Sequence, residues 1–160
     1  MSDDKRAAFT AAMTTLAGDD LAGAMASAVA DASDAEAAGG AGLYWAISEI
    51  CDNADRIVFF DWKVSGDDFV WQLRRLALAH DVPPLGPKAA DAAAARIDKA
   101  TPDCLDEMSA IGTALFGAEG KVFVWVETDA DAHAMGALAP EEAARLAGSR
   151  FCDGSSITRP

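Results

Sequence analysis

Two runs of large apolar residues stand out along the chain, and both are predicted to be β-strands. The first covers residues 56–62, with Ile-Val-Phe-Phe at its centre, and the second covers residues 121–127, which read KVFVWVE. Apolar runs rich in β-branched and aromatic residues are typical of strands that are covered on both faces. The residues 128–131 read as a turn, so residues 132–138 are predicted to return beside the second strand as a hairpin.

Apolar residues at helical spacing predict helices around these strands. Ser65 is predicted to cap a helix, because its hydroxyl can accept a hydrogen bond from a backbone amide of the first turn. Asp67 and Asp68 place negative charge in that turn, where the helix dipole favours it. Apolar stripes also predict two alanine-rich helices near the N-terminus and a third over residues 43–51, with a strand over 43–47 as the alternative. The remaining helices are predicted over 67–81, 89–99 and 102–116, with a last one starting at Pro140.

The three helices between the two strands predict how those strands are arranged. If the helices run alternately down, up and down, the chain re-enters the sheet at the end where the first strand began. We therefore expect an α/β fold, with α+β as the alternative. Its sheet would have two or three principal strands, the first two of them parallel, surrounded by six or seven helices. In such sheets ligands bind at the carboxyl ends of the strands.

The length of the chain, 160 residues, predicts a single domain. We divide it into an Ala/Asp-rich helical part at 1–42, an α/β core at 43–152 and a tail at 153–160. The proline-rich segment after residue 82 is expected to be a stiff loop within that domain, because the chain on either side of it is too interdependent to fold alone.

The charge of the chain excludes some classes of partner. Its formal net charge is −13, whereas recognition of nucleic acid needs clustered Lys and Arg. Residues 7–55 contain no Lys or Arg. This acidic stretch is either a solvated surface that aids solubility or a face that steers a basic protein partner.

The sequence also indicates where the protein works. We expect no signal peptide and no membrane span, because no apolar run approaches the length that a span needs. The three cysteines, Cys51, Cys104 and Cys152, are widely spaced without a C-x-x-C pair, which favours reduced, buried thiols. A cytoplasmic protein is therefore expected.

Carboxylates at the strand ends suggest a metal site. Asp61 ends the first strand, Glu127 ends the second, and Asp129 and Asp131 lie in the turn that follows. Oxygen ligands of this kind suit Mg²⁺ or Ca²⁺, although the spacing is not that of an EF-hand. The alternative is an acidic turn that is simply hydrated. No other cofactor is predicted.

Further candidates for ligand binding surround the first strand end. Asp61 and Lys63 lie two residues apart on one face, so they form either an ion pair or a clamp on a small ligand. Trp71 either half-buries its ring at the rim of the core or stacks on Arg75 one turn later. The complete set of ligand-binding candidates is Asp61, Trp62, Lys63, Asp67, Trp71 and Glu127.

One histidine is expected to have a structural role. His80 lies on the apolar face of the predicted helix over 67–81, and no other residue at helical spacing could join it as a metal ligand. It is therefore predicted to be a hydrogen-bonded core residue.

The run FFDWK, followed by FVWQLRRLA, resembles a bacterial family of small α/β domains of unknown function in which Asp-Trp-Lys closes a strand ahead of an amphipathic helix. The resemblance adds Asp61, Trp62 and Lys63 to the candidate site residues. The general form, an acidic protein with a final hairpin and helix, is also similar to immunity proteins that neutralise toxins.

These observations favour a non-catalytic protein-binding domain of an immunity-like or regulatory kind. No nucleophile elbow, P-loop or dinucleotide-binding glycine motif is present in the sequence. The alternative is a small-molecule or divalent-metal-dependent enzyme that uses the carboxylates at the strand ends. The oligomeric state is left open.

Overall fold

A computed structural model describes residues 7, 11–12, 14–31, 49–50, 52–61, 63–100, 103–127, 132–148 and 156–158, with residues 29–31, 127, 132 and 156 described by their backbone. The predicted strand over 43–47, the predicted turn at 128–131 and Trp62 lie outside this part of the chain. Within it, no helix combines the length and the apolar character that a membrane crossing requires.

Among the described residues, four strands form one sheet, with β3 and β2 at its centre. The strands are β1 (Ile57–Asp61), β2 (Val122–Glu127), β3 (Ala132–Leu138) and β4 (Ser156–Thr158). Their order across the sheet is β1-β3-β2-β4, and every pairing is antiparallel. The hairpin of β2 and β3 is confirmed, with Trp125 opposite Met135.

The predicted parallel pairing of the first two strands is wrong. β1 pairs with β3, so that Phe60 lies opposite His133, and the hairpin therefore enters the sheet through its second strand. The prediction of two or three strands is also wrong, because Ser156–Thr158, assigned from the sequence to a tail, pairs with β2 as a fourth strand. Because β1 and β2 each run antiparallel to β3, they point the same way on either side of it. The fold mixes helices with an antiparallel sheet, so the parallel arrangement expected of an α/β fold is wrong.

The helices follow the predicted apolar stripes closely. They are a 3-10 turn (Asp19–Leu21), α1 (Ala22–Asp31), α2 (Gly66–Ala79), α3 (Pro87–Ala100), α4 (Leu105–Gly117) and α5 (Pro140–Leu146). Residues 11–12 and 14–17 are also helical, as are 49–50 and 52–53. The three helices predicted between the first two strands are therefore confirmed.

Each face of the sheet supports its own hydrophobic core, because side chains alternate along the strands. On one face Ile57, Val124 and Val126 pack with Leu16, Met25 and Leu146. On the other face Val58, Phe60 and Phe123 pack with α2, α3 and α4, through residues such as Phe69, Leu73 and Met108. A strand covered on both faces should bury both Phe59 and Phe60. Phe60 is buried, whereas Phe59 is only partly buried.

Two glycines allow the helical layer to pack closely. A side chain at Gly66 would collide with the backbone of Ala94, so α2 and α3 touch at this point without any side chain between them. A side chain at Gly112 would collide with the ring of Phe123, which fixes α4 on β2. Substituting either residue would force a helix or a large ring to move.

Candidate functional site

The helix α2 begins with a local cap that the sequence predicts. Ser65 adopts an extended conformation, and its hydroxyl accepts a hydrogen bond from the Asp68 amide at 3.2 Å and donates one to the Asp68 carboxylate at 2.7 Å. The carboxylate of Asp98 in α3 accepts a further hydrogen bond from the Gly66 amide at 2.7 Å. These contacts fix the start of α2, and therefore the direction in which its outer face points.

The outer face of α2 carries an exposed apolar patch. Trp71 is 57% exposed and Leu78, two turns later, is 55% exposed. The guanidinium carbon of Arg75 lies 4.8 Å from the centre of the Trp71 ring, so the stacked alternative for Trp71 is confirmed. We call these three residues the Trp71 patch. Arg74 is exposed beside it.

Arg75 also ties the patch to the segment before β1. Its Nε donates to the Asp55 carboxylate at 2.7 Å, and its Nη2 donates to the Asp52 backbone carbonyl at 3.1 Å. The Asp52 carboxylate lies 3.5 Å from the same nitrogen. Asp55 has a φ of 58°, a left-handed conformation that aspartate tolerates better than most residues. The guanidinium is therefore held on several sides while it supports the tryptophan ring.

The network continues to the edge of the sheet. Arg75 donates from Nη1 to the side-chain oxygen of Gln72 at 2.8 Å, and the Gln72 amide donates to the Phe59 carbonyl at 2.9 Å. Phe59 belongs to β1, which is an edge strand among the described residues, and its carbonyl would otherwise be open to pairing with another chain. Side chains of α2 thus fix the helix beside this edge.

His80, at the C-terminal end of α2, is the core residue that the sequence predicts. Its side chain is buried, and its Nε2 lies 3.2 Å from the Arg56 carbonyl. Since a carbonyl oxygen only accepts, Nε2 carries the proton in the neutral ring. Burial lowers the pKa of His80 from 6.5 to about 4, which keeps the ring neutral at physiological pH.

The predicted ligand site at the end of β1 has a simple local geometry. Asp61 is exposed, and its carboxylate accepts a hydrogen bond from the Lys63 amide at 3.3 Å, while its carbonyl accepts one from the Val64 amide at 3.1 Å. Asp61 therefore shapes a turn. Lys63 and Asp67 are also exposed, Asp67 in the first turn of α2.

The rest of the predicted site stays a prediction. The backbone of Glu127 ends β2 opposite Ser156, but Trp62, Asp129 and Asp131 lie outside the described residues. Among the residues that are described, no three metal-ligating side chains form a cluster. The grouping of Asp61 with Glu127, and the Mg²⁺ or Ca²⁺ site built on it, therefore remain expectations.

An aromatic cluster on the sheet was not anticipated from the sequence. The Trp125 ring packs edge-on against Phe60 and Phe123, and His133 adds its ring at 5.8 Å from Phe60 and 6.2 Å from Trp125. The Trp125 indole donates to the Ser109 hydroxyl at 2.8 Å. Only the pairing of β1 with β3 brings Phe60 opposite His133, so no local pattern could have shown this cluster.

The importance of Leu78 was also missed, although a signal for it existed. Leu78 follows Trp71 by seven residues, and that spacing returns to the same helix face. Apolar residues at this spacing on the face opposite the buried stripe indicate an apolar surface that the core does not use.

Comparison with known proteins identifies a family. A family model described as "Domain of unknown function (DUF6630)" matches residues 5–149. This match confirms the expectation of a domain of unknown function. A search of curated proteins and a search of solved structures find no match to the chain.

Proposed function

The chain belongs to the DUF6630 family of domains of unknown function, and we propose that it is a non-catalytic protein-binding domain of an immunity-like or regulatory kind. Its contact surface is centred on the Trp71 patch. The patch holds two of the three large hydrophobic residues that are exposed among the described residues, and both lie on one face of α2.

The exposure of Trp71 is the observation that carries the proposal. A tryptophan that leaves 57% of its surface in water gives up most of the free energy that burial would provide. Tryptophan and arginine are the residues most enriched at the energetic centres of protein interfaces, and the patch presents both in contact. A partner that covers this ring and Leu78 would recover the unused apolar burial.

The patch is also arranged to bind without much reorganisation. Arg75 has a side chain that is only 23% exposed, and Asp52, Asp55 and Gln72 hold its guanidinium. Because Arg75 is fixed, the Trp71 ring that stacks on it has less freedom to lose when a partner binds. An aromatic anchor restrained in this way supports recognition of a folded surface.

The charge of the whole protein supports a basic partner. The formal net charge is −13, and a charge of this size attracts positive proteins and raises their rate of association. Asp67 and Asp81, both exposed, lie at the two ends of α2 and so flank the patch. We therefore propose that the field steers a basic protein towards α2 and that the patch holds it.

A cytosolic location is part of the same proposal. Cys104 is buried as a free thiol, with its sulfur 3.5 Å from that of Met108, and reduced thiols of this kind are typical of the cytosol. The enzyme alternative is not carried forward, because no observation on the described residues favours it.

The test compares three immobilised proteins: the wild type, Trp71→Ala and Leu105→Ala. Leu105 is an exposed hydrophobic residue at the start of α4, so its substitution is a matched control outside the patch. Proteins captured from a cell extract by the wild type and by the control, but not by Trp71→Ala, are purified and their association is timed at low and high salt. We expect a basic protein whose association slows steeply as salt rises.

Two results would contradict the proposal. If every captured protein binds Trp71→Ala as it binds the wild type, the patch is not the contact surface. If the proteins whose capture depends on Trp71 are acidic, and salt does not change their rate of association, the proposed class of partner is wrong. The Trp71 patch would still be the contact surface.

A further inference from the structure

A groove between α3 and α4 lies apart from the Trp71 patch. It has a volume of about 500 Å³, and the loop through Pro83 and Leu85 also contributes to its wall. Buried Ala93 and Ile111 form its floor. A volume of this size falls within the range of roughly 300–1,000 Å³ that is usual for small-molecule sites.

The groove exists because the facing side chains are small and the helices are fixed elsewhere. Exposed alanines line both walls, among them Ala92 on α3 and Ala114 on α4. The close approach of Gly66 to the Ala94 backbone holds α3 against α2. The close approach of Gly112 to the Phe123 ring holds α4 against β2 instead. Because each helix is anchored to a different neighbour, the two cannot close over the space that the alanines leave.

The walls suit an aliphatic chain better than an extended peptide. Apart from Arg96 and Glu119, they consist of Pro83, alanine methyl groups and branched apolar side chains. The helices that form them already pair their own backbone amides. A peptide backbone laid in the groove would lose its bonds to water without finding replacements. An aliphatic chain has no such groups to satisfy.

The charged groups at the two ends distinguish one end of the groove from the other. Arg96, late in α3, pairs with Glu107, early in α4, so the helices run antiparallel and the start of α3 lies beside Glu119 at the end of α4. Arg96 bonds one oxygen of Glu107 through Nε and Nη2, and its side chain is 53% exposed. Among the described residues no group accepts a hydrogen bond from Nη1 of Arg96, so this nitrogen can receive a ligand carboxylate while Glu107 stays paired.

We propose that the groove binds an aliphatic carboxylate of medium chain length, with its head group on Arg96 and its tail directed towards Pro83 and Leu85. Glu107 is neutralised by Arg96, whereas Glu119 at the opposite end has no paired cation among the described residues, so repulsion by Glu119 sets the orientation of the head group. The distance along α3 from Ala89 to Arg96 is seven residues, which corresponds to a groove roughly 10 Å long.

The test uses the full chain with octanoate as the probe and 1-octanol as a neutral probe with the same tail. Calorimetric titration should show saturable octanoate binding to the wild type and weaker binding of octanol. Ala114→Leu fills the groove from an exposed position and should weaken octanoate binding by about tenfold or more. Ala144→Leu, at an exposed position of α5, is the matched control and should bind as the wild type does.

Arg96→Gln tests the head group separately. This variant should bind octanoate several-fold more weakly and octanol unchanged, since only the carboxylate contacts the guanidinium. If Ala114→Leu does not fold, as judged by its circular dichroism and Tm, Ala92→Leu fills the groove from the other wall with the same expected result.

Three outcomes would overturn the proposal. Octanoate that fails to saturate the wild type, or that binds the filled variant equally well, would mean that the groove is not its site. Octanol that binds the wild type as tightly as octanoate would remove the role of Arg96. A dimer in sedimentation experiments that Ala114→Leu dissociates would assign the groove to a second copy of the chain.

Discussion

Two tryptophans show how differently one residue type is used in this protein. Trp125 lies on the helical face of the sheet, where Phe60 and Phe123 pack against its ring and the Ser109 hydroxyl accepts from its indole. Trp71 lies on the outer face of α2 with more than half its surface exposed and Arg75 stacked on its ring. Among the described residues, no group accepts a hydrogen bond from the Trp71 indole.

The two tryptophans therefore contribute to different properties, Trp125 to the stability of the fold and Trp71 to binding. The contacts of Trp125 are completed within the protein, so its loss should be felt in the free energy of unfolding. Trp71 leaves most of its apolar surface in water, so its loss should be felt when a partner binds.

The largest expected effect concerns Trp125. Trp125→Ala should reduce the free energy of unfolding by about 3–4 kcal/mol, because it removes a ring from between two phenylalanines and leaves the Ser109 hydroxyl without its partner. Urea unfolding of the variant measures this directly. A loss below about 1 kcal/mol would show that the two tryptophans do not differ as we describe.

The pH dependence of stability tests the same core through His80. Its pKa is lowered from 6.5 in the unfolded chain to about 4 in the folded protein, so the unfolded state binds the proton more readily between these values. Stability from this residue is complete above pH 6.5 and is lost as pH falls towards 4, by up to about 3 kcal/mol.

The control for this prediction is His80→Gln, which cannot titrate. The difference between the wild type and the variant in free energy of unfolding should change across that pH window. A constant difference from pH 7 to pH 4 would mean that His80 protonates equally well in the folded and unfolded chain.

A smaller effect is expected from the support of the patch. Arg75→Lys keeps the charge but loses the planar group that reaches Asp55, Asp52 and Gln72 together, and should cost about 1 kcal/mol of stability. The Trp71 ring should also become more mobile, which lowers its fluorescence anisotropy. This is measured in a protein whose other tryptophans are replaced by phenylalanine. Unchanged anisotropy would mean that Arg75 does not restrain the ring.

The smallest effect on stability belongs to Trp71 itself. Trp71→Ala should change the free energy of unfolding by about 0.5 kcal/mol or less, because the ring is mostly exposed and its contact with Arg75 is weak at a surface. Urea unfolding of Trp71→Ala and Trp125→Ala under the same conditions gives the difference between their free energies of unfolding. A cost similar to that of Trp125→Ala would assign Trp71 to the core.

The local elements of this fold could be predicted because their signals are local. Ser65 with Asp68 marks the start of α2, the apolar runs mark β1 and β2, and the return strand over 132–138 has the predicted bounds. The buried stripe of α2, with Phe69, Leu73 and Leu76, follows from helical spacing alone. His80 belongs to the same pattern.

The arrangement of the sheet could not be predicted in this way. The helices between β1 and β2 limit the direction in which the chain returns, but they do not decide which strand of the hairpin lies beside β1. That choice depends on packing across the whole sheet, where Gly136 of β3 accommodates Leu16 from the N-terminal helix. β4 is too short, at three residues, to give a periodic signal.

The candidate site was predictable in part, because some of its contacts are local in the sequence and others are not. Trp71 and its contact with Arg75 depend on a spacing of four residues along one helix, which a sequence displays. The bonds from Arg75 to Asp55 and Asp52 join segments about twenty residues apart and required the folded chain. The carboxylate site at the strand ends remains a prediction, since half of its members lie outside the described residues.

The dissociation constant of a purified partner for Trp71→Ala, relative to the wild type, tests the central claim most directly. We expect the constant to rise on the order of 100-fold, while the stability of the free protein changes little. A dissociation constant within about twofold of the wild-type value would contradict the assignment of the Trp71 patch as the contact surface.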